Sequence, residues 1–99
     1  MEASDLRNSL KAPAPPPGLS PLLVALWHAA RNEWDSAHRI AQDDGSADGA
    51  WVHAYLHRVE GDEGNAGYWY RRAAKPHCER SLESEWTEIV TALLPAAPL

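Results

Sequence analysis

The stretch Trp51–Ala74, WVHAYLHRVEGDEGNAGYWYRRAA, decides the fold. Apolar and small residues recur at helical spacing on both sides of Glu60-Gly61-Asp62. Gly61 suits the left-handed position that closes a helix, and Asp62 suits the cap that opens the next one. The stretch therefore reads as two helices joined by a tight turn. The first runs to about Glu60 with Asp48 as its N-cap, and the second covers about Glu63 to Ala74. Gly64 and Gly67 weaken the second helix intrinsically, so packing must hold it.

The same grammar extends in both directions. Ser20-Pro21 combines a favoured N-cap with a favoured first helical residue. A helix then runs to about Arg31, with Leu22, Leu23, Leu26 and Ala30 on one side. Asn32 can end it or cap the next one. That next helix covers about Glu33 to Asp43, with Trp34, Ala37, His38 and Ala41 on its spaced face, widened by Ile40. Asp43-Asp44-Gly45-Ser46 breaks it. Beyond Lys75-Pro76, a last helix spans about Ser81 to Leu94, with Leu82, Trp86, Ile89, Val90, Leu93 and Leu94 inward, and Pro95 stops it. Strand signals are missing, so the expected class is all-α: two antiparallel helical hairpins and a C-terminal capping helix.

Upstream lies Ala12-Pro13-Ala14-Pro15-Pro16-Pro17-Gly18, a stiff polyproline II tract. Leu6 and Leu10 give the residues before it a weak amphipathic turn. Residues 1–18 are expected to be a flexible Pro-rich arm, and residues 19–99 a single helical domain. A linker role is favoured over an SH3-type ligand, because Lys11 is the only basic residue near the prolines.

Composition narrows the function. With 99 residues the chain is one domain at most, and five Trp and three Tyr must supply much of its core in the absence of Phe. A net charge of -5 and a pI near 5.4 argue against a nucleic-acid partner. Arg71, Arg72 and Lys75 form the one notable basic cluster, enough for a single anionic group. The one cysteine, Cys78, allows no intramolecular disulfide and points to a reducing cytoplasm. It leaves an intermolecular bridge, and hence a homo-oligomer, open. No apolar run has signal-peptide character or the length of a membrane span.

Shifting the chain by 29 residues lays the first hairpin on the second: Ala25 on Ala54, His28 on His57, Ala37 on Ala66, and Glu33 on Asp62. Each alanine falls where the helices of a hairpin must cross closely. Together with Gly61-Asp62-x-x-x-Ala66-x-x-x-Tyr70-x-x-Ala73, this pattern resembles the tetratricopeptide repeat. The resemblance covers about Leu22 to Ala74. It departs from the family in its shorter period and in the offset of Trp51. It implies a scaffold that binds peptides or proteins without shared chemistry. In that family the first helix of each hairpin lines the concave face, which implies Leu22, Leu26, Trp51, Tyr55 and Arg58 as contact residues. The run HAYLHRVEGDEGNAGYWYRRA also looks like a family of short bacterial proteins of unassigned function, which implies a fold type and no activity.

Two side-chain groups carry possible chemistry. His53, His57 and Glu60 share one helical face, and His28 is the repeat equivalent of His57. Two histidines four apart can chelate a divalent metal. Facing the partner helix, they read first as buried, hydrogen-bonded core residues, ahead of a polar binding site and, last, of a metal site. Convergence of His28, His38, His53 and His57 on one pocket would instead favour metal or acid–base work. The second group is Tyr68-Trp69-Tyr70-Arg71-Arg72. Tyr70 and one edge of Trp69 belong to packing, while Tyr68, Arg71 and Arg72 combine aromatic and guanidinium groups in the manner of binding hot spots. The plainer role for the arginines is pairing with Glu60, Asp62 or Glu63. Asn65 reads as a local cap, and His77 beside Cys78 is not placed for catalysis. No phosphate loop, hydrolase elbow or paired-cysteine box is present, so no catalytic residue and no cofactor is expected. The favoured function is a small non-catalytic binding module for a peptide, protein or small anionic ligand. The competing reading is a metal-binding or hydrolytic protein that uses the histidines.

Overall fold

A computed structural model describes residues 1–95. The described residues form six α-helices and no strand: α1 (Ala3–Asn8), α2 (Pro21–Ala30), α3 (Trp34–Gln42), α4 (Ala47–Val59), α5 (Glu63–Ala73) and α6 (Leu82–Leu93). A short 3₁₀ turn, Ser9–Lys11, follows α1. None of these helices is long and apolar enough to cross a membrane.

Side-chain caps set most helix starts. The Ser20 hydroxyl accepts from the Leu23 amide, Asp62 from the Asn65 amide, and Ser81 from the Ser84 amide. One cap differs from the expected residue. Ser46, not Asp48, opens α4, and its hydroxyl accepts from the Gly49 amide at 3.0 Å. The Asp44 carboxylate fixes Ser46 by accepting from its amide at 2.8 Å and from its hydroxyl at 2.5 Å. Gly49 is needed where this loop closes on α4, because a Cβ there would lie 2.4 Å from the Asp44 carbonyl oxygen.

Helix ends repeat one device. Asn32, Gly61 and Ala74 have φ of 62°, 85° and 57°. At each, the left-handed residue donates to the carbonyl three back, and the next amide reaches five back: Glu33 to His28, Asp62 to His57, and Lys75 to Tyr70. This is the Schellman closure. The first two turns stand 29 residues apart, in the register that the sequence repeat requires. Asn and Ala tolerate this backbone less well than Gly, so packing must hold those two turns.

α4 is the central element and packs against α2, α3, α5 and α6. Ala25, Ala37, Ala54 and Ala66 are all fully buried, so the helices approach closely where the repeat placed small residues. α6 lies on α2 and α4. It buries Trp86, Ile89 and Val90, and the Trp86 indole donates to the Leu26 carbonyl at 2.8 Å. The face of α2 and α4 expected to be open is thus covered by the chain itself.

The segment before the prolines touches this body through Leu6, Arg7, Ser9, Leu10 and Ala12. Leu6 is fully buried, Arg7 donates to Thr87 at 2.8 Å, and the Trp27 indole donates to Ser9 at 3.2 Å. The Arg31 guanidinium donates to the carbonyls of Leu10 and Ala12, both at 2.7 Å. An arm with one inward leucine and carbonyls free of helical partners meets a guanidinium that satisfies them.

Candidate functional site

α3 and α4 bring three imidazoles together. His38 comes from α3, and His53 and His57 from adjacent turns of α4. One ring nitrogen from each lies within 4.8 Å of the other two. The Nε2 atoms of His38 and His53 are 2.8 Å apart. His57 turns Nδ1 to the Glu60 carboxylate at 2.5 Å, which leaves Nε2 as its other nitrogen. Such a carboxylate fixes the tautomer and the ring orientation, as outer-shell partners of metal ligands do.

Aromatic rings wall the cluster. Trp69 stacks on His53 with centroids 3.9 Å apart, and Trp34 stacks on His38 at 4.6 Å. The Trp34 indole is pinned by donating to the Leu56 carbonyl at 2.7 Å. His53 and His57 are themselves stacked at 4.9 Å. Burial and the two neighbouring imidazoles push the His53 pKa down to about 4. Burial first, and His57 second, also lower that of His38. The surroundings therefore favour the neutral form of His38 and His53, the form that binds a metal.

The other histidines stay apart from this group. His28 Nδ1 contacts Glu33 at 2.8 Å, and His77 Nε2 contacts Glu63 at 2.6 Å. His28 copies one habit of His57, a carboxylate at the turn that follows its helix. Glu60 touches the cluster only through His57 and also forms, with His57 and the exposed Asp62, a second group of potential ligands.

The residues implied as concave-face contacts lie inside the protein. Leu22, Leu26, Trp51 and Tyr55 are buried, and burial pushes the Tyr55 pKa up to about 12. Trp51 and Arg58 converge on Glu85 of α6, which is 1% exposed. The Glu85 carboxylate accepts from the Trp51 indole at 3.3 Å, from Arg58 at 2.7 Å, and from the Tyr70 hydroxyl at 2.6 Å. Burial works against the Arg58 charge, but the hydrogen-bonded carboxylate more than offsets it, and its pKa rises. Burial, and then Glu85, raise that of Tyr70. Arg58 also donates to the Arg80 carbonyl at 2.6 Å, so both terminal nitrogens serve the fold, while its buried Nε has no hydrogen-bond partner among the described residues.

Glu85 has no place in the sequence expectations, yet it left a signal. It sits one turn before Ile89 and beside Trp86, a carboxylate on the buried stripe of α6. Tyr68, Arg71 and Arg72 do reach the surface, as expected. Arg72 donates to the Tyr68 hydroxyl at 3.2 Å and lies over the Trp69 ring at 5.3 Å. Neither arginine forms an ion pair with Glu60, Asp62 or Glu63.

Comparison with known proteins finds no matching family model, no matching curated protein and no matching solved structure.

Proposed function

We propose that this chain is a tetratricopeptide-like helical protein that binds a divalent transition-metal ion on His38, His53 and His57. The observation that carries the reading is the meeting of three imidazole nitrogens within 4.8 Å, two of them on buried residues. Imidazole ligands suit zinc, copper or nickel and do not suit magnesium or calcium, which take oxygen ligands. Glu60 orients His57, and the two tryptophans restrict the other rings. The fold-family reading rests on the buried alanine pairs and the two equivalent turns. The lone Cys78 fits a reducing cytoplasm.

The test is zinc titration by calorimetry on tag-free protein stripped with a chelator. One equivalent is expected to bind, His38→Ala and His53→Ala should each lose most of the affinity, and His28→Ala should retain it. Circular dichroism would establish that each variant is folded. Zinc binding that survives both cluster substitutions would overturn the reading.

A second reading, protein or peptide binding, is favoured by one observation: Tyr68 is 43% exposed, flanked by Arg72 on the outer face of α5. Recovery of a partner by wild type but not by Tyr68→Ala/Arg72→Ala would support it. Equal recovery would remove it. Partner binding through Trp51, Tyr55 and Arg58 would require α6 to leave its place.

A further inference from the structure

Three protein ligands leave a four-coordinate transition metal one position short of a closed shell. The convergent group holds three ligands, His38, His53 and His57, with no fourth ligand among the described residues. Glu60 cannot complete it around the same ion. It contacts Nδ1 of His57, while the nitrogen left to bind an ion is Nε2, and the two point away from each other across the ring. Structural zinc sites supply four protein ligands, whereas sites with three keep a position for a small exogenous ligand.

Charge and space indicate the kind of ligand. Three neutral imidazoles would leave the full double charge of the ion uncompensated, and such an ion is then the largest local charge. The nearest carboxylate in contact with the cluster, Glu60, is one ring away. A groove of about 200 Å³ is lined by His53, Gln42, Trp69 and Arg72, so one of the three imidazoles opens onto it. Asp44 also lines it, but its carboxylate is committed to Ser46. Arg72 lies over Trp69, and Trp69 in turn covers His53, so a guanidinium stands one ring away from a ligand.

From these features we infer that an ion held by His38, His53 and His57 keeps one position for a small carboxylate-sized anion, admitted along the groove beside Arg72. The inference rests on the metal reading above.

Cobalt(II) alone, added to the full chain, tests both levels separately. Its visible absorption should appear with one equivalent and should then change saturably on addition of sodium acetate. In Arg72→Gln, cobalt affinity should be unchanged and acetate affinity should fall about two- to fivefold, the scale of one exposed charge contact. A cobalt spectrum that acetate and azide both leave unaltered means a closed shell and overturns this inference while the metal reading stands. Absence of any cobalt spectrum defeats the metal reading itself. Equal acetate affinity in wild type and Arg72→Gln overturns the assignment of the groove.

Discussion

The Nε2 atoms of His38 and His53 lie 2.8 Å apart, so one ring must donate its proton to the unprotonated nitrogen of the other. A second proton on this pair has no acceptor between the rings. Burial adds to the difficulty, holding His53 at about 4 and lowering His38 as well.

That relationship fixes a pH dependence for the metal-free protein. Unfolded imidazoles titrate near 6.5. Between that value and about 4, the unfolded chain binds more protons than the folded one, so stability rises with pH. The contribution is fully present above the unfolded pKa and is lost as pH falls towards 4. Thermal melts in chelator should show a falling Tm from pH 7 to 4.5, with a shallower fall in His53→Gln. Parallel profiles for the two proteins would contradict the assignment.

Glu85 and Arg58 form a buried ion pair. Removing one partner of such a pair leaves an uncompensated charge and costs about 3–5 kcal/mol. Glu85→Ala is therefore expected to lose that much in urea denaturation. Tyr70→Phe removes one hydrogen bond to a charged acceptor and should cost about 1.5–3 kcal/mol. A Glu85→Ala midpoint close to wild type would mean that the carboxylate is not enclosed.

Leu6 decides whether the N-terminal segment belongs to the folded body. It is fully buried, and truncating a buried leucine costs about 2–5 kcal/mol. Leu6→Ala, and deletion of residues 1–18, should both lower Tm clearly. An unchanged Tm in both would return the segment to a free arm.

Gly49 sits in the first turn of α4, where alanine would ordinarily favour the helix by about 1 kcal/mol. Its missing Cβ makes room for Asp44. Gly49→Ala is therefore expected to destabilise, by about 1–3 kcal/mol as overpacking does. A gain in stability on equilibrium unfolding would show that the loop 43–46 yields freely.

Local chemistry in the sequence was enough for α2 to α6. Ser20-Pro21, Asp62 and Ser81 cap as their residue types suggest, and Gly61 closes α4. Ala54 and Ala66, small residues at matched places in the repeat, mark the close crossing of α4 and α5. What lay beyond reach was long-range. Nothing near Trp51 or Tyr55 announces that α6 will cover them. Likewise, Leu6 carries no mark of its docking site. Asn32 and Ala74 take a backbone that favours Gly, because the turns are held by packing and hydrogen bonds rather than by propensity. At the candidate site, His53 and His57 were legible from their spacing. Their meeting with His38 depends on how α3 lies on α4, which spacing within one helix does not contain.

The central claim is that three of the five histidines act together. The most direct measurement is a nitrogen-15 correlation spectrum of the imidazoles, recorded on tag-free protein before and after one equivalent of zinc. The account predicts that the ring nitrogens of His38, His53 and His57 move to metal-bound positions while those of His28 and His77 stay in place. Zinc-induced shifts at His28 or His77 alone, or none at any ring, would contradict it.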